Sequence, residues 1–219
     1  MSKSIPDYGV SNTPPDPGRM YLAGPRCEGQ YPYAWHRWVA DTTSLSTINP
    51  FIETDASSVD ADTVVEHDYL LVRSADVVLL RRIDSYNLCG ASCEAEHARA
   101  NGIPVIVWND AETAVPLFLS GVATAVVDSR RGAVELAEYI HQLDVPLQQH
   151  LVTLTETAWE SLGTQSSVTG QVITDTVDSV VASLDGLGDH ATASLANLLC
   201  ATVRDSTRTH IERGTGQQK

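Results

Sequence analysis

Asn87–Pro104 reads N-L-C-G-A-S-C-E-A-E-H-A-R-A-N-G-I-P. Just upstream lies Val77–Leu80 (V-V-L-L), and just downstream Val105–Trp108 (V-I-V-W). Both are short apolar runs of the kind that form buried strands. Between them Ser92–Asn101 has a helical pattern, with Ala91, Ala95 and Ala98 on one side and Gly102 as its stop. These small residues would let the helix lie close to a sheet. Strand, helix and strand in this order form the unit of a parallel sheet. Glu94 then falls in the first turn of a helix that starts just beyond a strand, the edge at which open α/β sheets collect ligands. The free N–H groups and dipole of a helix start favour a charged carboxylate. An ionised Glu94 suits nucleophilic attack or charge stabilisation better than acid donation. Taken alone, it reads better as an ordinary stabilising first-turn residue.

The pattern continues on both sides. Met20–Ala23 reads as a first strand closed by Gly24-Pro25, and Tyr33–Leu45 as a helix with Trp35, Trp38 and Val39 at helical spacing. Thr47–Asn49 is a short strand ended by Pro50, and Asp60–Ser74 a helix with Asp60 as N-cap. After Trp108 come a short helix near Ala114–Leu119, a strand at Thr124–Val127 and a closing helix at Arg131–Leu143. Five strands alternating with helices predict a doubly wound, mostly parallel five-stranded α/β sheet of the flavodoxin/Rossmann-like kind, over residues 19–145. Residues 1–18 are polar and carry Pro14, Pro15 and Pro17, which suggests a flexible lead-in. Residues 146–219 show no strand signal but three helical stripes: Leu151/Leu154/Ala158/Leu162, Ile173/Val177/Val180/Val181/Leu184 and Leu195/Leu198/Leu199/Val203. Each amphipathic helix must bury its stripe, on the sheet domain or on another subunit.

The chain has 219 residues, 42% of them hydrophobic, so a sizeable core forms without staples. No apolar run approaches the ~20 residues of a membrane span. The start lacks a signal-peptide pattern, and the expectation is a cytoplasmic protein. Net charge is −14, with lysine only at Lys3 and Lys219. That argues against nonspecific nucleic-acid binding, which needs a basic surface, and favours a neutral small molecule. A salt-loving source and a GC-rich genome both produce such a composition. Of the cysteines Cys27, Cys89, Cys93 and Cys200, the pair Cys89/Cys93 lacks a matching pair at zinc-finger spacing. All four read best as small apolar fillers. There is no HExxH, Ser-His-Asp, GxGxxG or GxxxxGK[ST] pattern, so neither a metal nor a nucleotide cofactor is expected.

Two more polar residues stand out. Asp68 falls in the middle of the face made by Val64, Val65, Leu71, Val72 and Ala75. A carboxylate buried there needs a partner, and it is either a structural ion pair or a working group. Tyr21, in the first strand just before Gly24-Pro25, can aim its hydroxyl at the ligand edge or be a core tyrosine with a satisfied hydroxyl.

Together these segments resemble the nucleoside 2-deoxyribosyltransferase family. Its first strand typically reads Y-L-A-G-P, as Tyr21–Pro25 does here. A tryptophan-bearing helix and a short strand ending in proline follow, as Trp35–Trp38 and Asn49-Pro50 do. Asp68 precedes the strand entry Ser74–Val77, Gly90–Ala98 (G-A-S-C-E-A-E-H-A) matches the family's glutamate segment, and Gly102–Val105 its G-x-P-V strand entry. The match runs from about Met20 to Ile140.

The resemblance implies roles. Glu94 matches the glutamate that attacks the anomeric carbon of a deoxynucleoside, giving a covalent deoxyribosyl-enzyme and free base. A second base then takes the sugar with net retention. Tyr21 matches a tyrosine that positions that glutamate. Asp68 matches an aspartate on the base side, a proton donor whose pKa burial would raise. Gly24, Pro25, Asn87, Gly90 and Ser92 fall at substrate-binding positions. No cofactor is implied; the partners are nucleosides or deoxynucleotides, free nucleobases and further copies of the chain in a homo-oligomer, in nucleoside salvage. The sequence also departs from the family. Leu88 stands nearest to a sugar-binding Asp, for which Asn87 or Asp84 would substitute only if the loop shifts. Glu96 replaces a glycine, and no counterpart of the family's C-terminal Asn occurs near Phe118–Ser120. Two alternatives follow: hydrolysis of deoxynucleosides or their 5′-monophosphates, with Ser92, the helix start and Arg26 holding a phosphate, or a non-catalytic sensor of a nucleotide-like ligand.

Overall fold

In a computed structural model, residues 18–28, 31–53, 60–84, 86–143, 147–163, 169–184 and 187–215 are described. The proposed lead-in lies almost wholly outside them. The sheet strands are β1 (Arg19–Ala23), β4 (Ser46–Ile48), β5 (Val77–Arg82), β6 (Val105–Asn109) and β7 (Ala125–Val127). They lie in the order β4-β1-β5-β6-β7, every pair parallel. Strand order therefore reverses direction between β1 and β5, and the carboxyl ends of those two strands flank the switch point. A two-residue antiparallel pair, β2 (Cys27–Glu28) with β3 (Tyr31–Pro32), follows β1. Neither this pair nor the single-turn helix α2 (Pro50–Glu53) is marked in the hydrophobic pattern.

Strand residues alternate between the two faces of the sheet. Met20, Leu22, Val77, Leu79, Ile106 and Trp108 face α1 (Ala34–Thr42) and α6 (Arg130–Gln142). Tyr21, Ala23, Val78, Leu80, Val105 and Val107 face the other way, toward α3 (Ala61–Arg73), α4 (Cys89–Ala100) and α5 (Leu117–Val122). Helix α4 buries Ala91, Ala95 and Ala98 against this second face, as their spacing predicts. Helix α3 starts where expected: the Asp60 side chain accepts a hydrogen bond from the Thr63 N–H at 2.9 Å. Its apolar face is narrower than the sequence suggested. Val72 is the α3 residue that is fully buried, whereas Val65 and Leu70 are exposed.

Other ends shift for local reasons. Helix α1 stops at Thr42, whose hydroxyl turns back onto the Trp38 carbonyl at 2.7 Å; Leu45 is buried from the following loop. Helix α5 begins three residues later than Ala114, because Pro116 sits at its N-cap. The three C-terminal helices are α7 (Leu147–Leu162), α8 (Gly170–Ala182) and α9 (Asp189–Thr215). Their stripes join the core on the α6 side of the sheet. Helices α6 and α9 approach closely at Gly132, where a Cβ would lie 2.5 Å from Ser194 Oγ and 3.0 Å from the His190 carbonyl oxygen. Glu135 on α6 also accepts from the Ala191 N–H in the first turn of α9 at 2.9 Å. Among the described residues no helix is long and apolar enough to cross a membrane.

Candidate active site at the switch point

Two carboxylates and a tyrosine meet beneath the carboxyl ends of β1 and β5. Tyr21 points from β1 to the α3/α4 side of the sheet because it alternates with Met20 and Leu22. Asp68 comes from α3 and Glu94 from α4, the two helices packed on that face. Tyr21 and Asp68 are each close enough to Glu94 to alter its proton affinity.

Glu94 is not a first-turn residue. Helix α4 begins at Cys89, three residues before the expected start. The Asn87 side chain supports the earlier start, its Oδ1 accepting from the Cys89 N–H at 3.0 Å. Glu94 therefore lies in the second turn, where the helix-end field has faded. The expectation of a firmly ionised carboxylate is overturned with it. Burial, and then the neighbouring Asp68 charge, push the Glu94 carboxyl from its ordinary 4.5 up to about 7. Its hydrogen bond with Tyr21 works in the opposite direction. Glu94 is crowded by protein but keeps a partial opening to solvent.

The Tyr21 hydroxyl is fully buried, and no partner meets ordinary distance and angle limits. Glu94 is near enough for a longer hydrogen bond. A hydrogen bond that long and poorly aligned is weak, so it is only a slight brake on the Glu94 shift. Burial, the Glu94 and Asp68 charges and that hydrogen bond all push the Tyr21 phenol far above its ordinary 10. Tyr21 is thus a neutral donor at any working pH. Asp68 is half-buried rather than sunk in an apolar face, because α3 tilts Val65 and Leu70 to solvent.

The glycine turn after β1 is tightly built. Gly24 has φ +137°, and a Cβ there would lie 2.7 Å from the Arg81 carbonyl oxygen. The Pro25 carbonyl accepts from Trp35 Nε1 at 2.6 Å. Both residues are buried. On α4, Gly90 and Asn87 are exposed and Ser92 is half-buried. Cys89 and Cys93 are exposed, so they are not the buried fillers the sequence suggested; Cys200 is buried.

Asn87 and Asp84 are both engaged within the fold. Asn87 supports the start of α4. Asp84 accepts from the Glu112 N–H at 2.8 Å and the Thr113 hydroxyl, and from Arg82 at 3.3 Å. Thr113, then the Glu112 amide, hold its carboxyl below the usual range. The buried Arg82 also donates to Asn109 Oδ1 and the Thr113 carbonyl, each at 2.8 Å. This network ties the loop after β5 to the loop after β6.

Tyr86, in the loop between β5 and α4, was missed by sequence reasoning. Burial, and then the Glu94 charge, raise its phenol pKa, placing it near the carboxylate. Its position in the loop at the ligand edge was the available signal. Among the described residues no three His, Cys, Asp or Glu side chains gather as a metal site.

No protein-family model matches the chain, and no curated protein matches it. Among solved structures it is similar to a 2-deoxyribosyltransferase from the psychrotolerant bacterium Bacillus psychrosaccharolyticus, at 16% identity. That match covers 57% of this chain and 92% of that one, with a TM-score of 0.45. A conserved protein from Enterococcus faecalis V583 is similar at 16% identity over 56% of this chain and 97% of that one, with a TM-score of 0.46.

Proposed function

We propose that the protein breaks the N-glycosidic bond of deoxynucleosides and transfers the 2-deoxyribosyl group between nucleobases, with Glu94 as nucleophile. The observation that carries this reading is the grouping of Glu94, Asp68 and Tyr21 at the switch point of the sheet. The segments that resemble the deoxyribosyltransferases contain these same three residues.

In the first step the Glu94 carboxylate attacks C1′. The C1′–N bond breaks and its electron pair leaves with the base, which takes a proton from Asp68. In the second step the ring nitrogen of an incoming base attacks C1′, the glycosyl–Glu94 ester breaks, and the acceptor's proton returns to Asp68. Two displacements give net retention. Tyr21 donates toward Glu94 and orients it. Gly24, Pro25, Asn87, Gly90 and Ser92 would line the substrate side.

The raised Glu94 pKa has a chemical meaning in this scheme. Two neighbouring carboxyls hold a shared proton near neutrality. The reactive form has Glu94 ionised and the pair's one proton on Asp68; that proton is lost as pH rises through about 7, so base release falls there. A crowded anion close to its pKa has little hydration to shed before it meets the positive charge developing at C1′.

The test is incubation with a deoxynucleoside, with and without a second base, using wild type and Glu94→Gln. A new nucleoside assigns transfer. Free base and sugar in both incubations assign hydrolysis by the same first step, with water as acceptor. Unchanged base release by folded Glu94→Gln removes Glu94 from the chemistry. Binding of nucleosides without any turnover by wild type assigns a sensor.

A further inference from the structure

Helix α3 carries Asp68 yet has little apolar grip on the sheet. Val72 is fully buried, while Val65 is 49% and Leu70 55% exposed. Something besides core burial must hold Asp68 opposite Glu94. The structure shows one aromatic contact between α3 and α4: the rings of Tyr69 and His97 are stacked, with centroids 4.1 Å apart and planes within 4° of parallel. Tyr69 is the residue next to Asp68. His97 lies three residues after Glu94, one turn along the same side of α4.

His97 is an uneconomical choice if filling space is all that is needed. Its Nε2 is inaccessible to solvent and has no hydrogen-bond partner, a cost that leucine or phenylalanine would not incur. Burial, and then the charge of Arg73 on α3, lower the His97 pKa. Both causes favour the neutral imidazole, which stacks as a flat ring on Tyr69. A flat ring on a flat ring restrains sliding and tilting more narrowly than two aliphatic side chains do.

We propose that the Tyr69–His97 stack is the positioning element of the carboxylate pair, clamping α3 to α4 so that Asp68 is held at a set distance from Glu94. Both are positioning residues, acting through their neighbours in sequence. The catalytic consequence rests on the function proposed above; the structural claim does not, because the proton affinity of Glu94 responds to its burial and to the Asp68 charge, both of which the α3–α4 packing sets. Among the described residues, the charged or titratable groups beside Glu94 are Asp68, Tyr21 and Tyr86, and Arg73 is the charged group beside His97.

The experiment is a carboxyl-carbon NMR titration of Glu94 in the full chain, with Glu94→Gln assigning its signal and circular dichroism confirming the fold. The variants are Tyr69→Leu, His97→Ala and His97→Phe, with the exposed Val65→Ala as control. Loosening the clamp lets Asp68 recede and water enter. Tyr69→Leu and His97→Ala should therefore lower the Glu94 midpoint by about one pH unit, a tenfold weaker hold on the proton. His97→Phe, which keeps a flat ring, should restore it, and Val65→Ala should leave it unchanged. If deoxynucleosides are turned over, the pH profile of kcat should move with the NMR midpoint while KM changes little. An unmoved midpoint in folded His97→Ala overturns the proposal, as does His97→Phe behaving like His97→Ala. Should His97→Ala fail to fold, Tyr69→Leu and His97→Phe decide the matter by the same criterion. Absence of turnover in wild type would defeat the proposed function and leave the NMR result to decide the clamp.

Discussion

Replacing Glu94 by glutamine should stabilise the protein, and by an amount that depends on pH. The folded carboxyl titrates at about 7 against an ordinary 4.5. Between those values the folded state retains a proton that the unfolded chain has released. Stability therefore falls as pH rises from about 4.5 to about 7 and is level above that. At about 1.36 kcal/mol per pH unit, the full loss is about 3 kcal/mol. This is an upper figure, because Glu94 keeps a partial opening to solvent and surrounding water screens part of the effect. Glutamine has nearly the same shape, stays neutral and can still accept a hydrogen bond from Tyr21. Glu94→Gln should match wild type near pH 4.5 and exceed it by up to about 3 kcal/mol at pH 8. For a chain of this length that is roughly 6–12 °C in Tm. Urea unfolding of both proteins at half-unit steps from pH 4.5 to 8.5 measures the difference directly. A gap that stays constant across this range, or that opens as pH falls, refutes the reasoning. A constant gap would mean that Glu94 titrates at its ordinary pKa in the folded protein, and a gap opening as pH falls that its pKa is depressed.

The other predictions concern the neighbours of Glu94 and the two close approaches in the fold. Asp68→Asn removes a charge that raises the Glu94 pKa, so the Glu94 midpoint should drop below 7; Tyr21→Phe removes the opposing hydrogen bond and should move it up. Both shifts are read by the same NMR titration, and movement in the same direction would contradict this account. Gly24→Ala forces a Cβ onto the Arg81 carbonyl at an unfavourable φ and should cost at least about 2 kcal/mol in urea unfolding. Gly132→Val wedges α6 away from α9 and should cost about 1–3 kcal/mol, while Gly121→Ala, where nothing lies within 4 Å of the new Cβ, should not destabilise.

The site was legible to different depths at different residues. Tyr21 could be assigned to the strand leading to the Gly24 turn from a short apolar run alone. Its side of the sheet followed from the period of two once Met20 and Leu22 were seen in the core. The start of α4 was misjudged because Asn87 lies two residues outside the helix it supports, and a side-chain bond to Cys89 N–H leaves no mark in hydrophobic periodicity. That offset of three residues moved Glu94 from the first turn to the second, and burial beside the Asp68 charge then set the upward sign of its pKa shift. Asp68 was placed too deep for a related reason. Periodicity shows which residues share a face of α3, but not how much of that face the sheet covers. Asp84 and Asn87 looked available in the sequence because their partners, Thr113, Glu112, Arg82 and Cys89, are engaged only after folding.

The sequence by itself determined the alternation of strands and helices, the parallel sheet and the presence of three amphipathic helices after it. These follow from local apolar periodicity and from punctuation by glycine and proline, which act over a few residues and persist in any compact arrangement of the chain. Only the tertiary structure decided where the C-terminal helices are buried, that α3 has little apolar grip on the sheet, and that burial and Asp68 raise the Glu94 pKa to about 7. The physical reason is range. Burial and Coulomb coupling depend on distances between residues as far apart in sequence as Tyr21, Asp68 and Glu94, and these distances are set by helix packing on the sheet, on which periodicity carries no information.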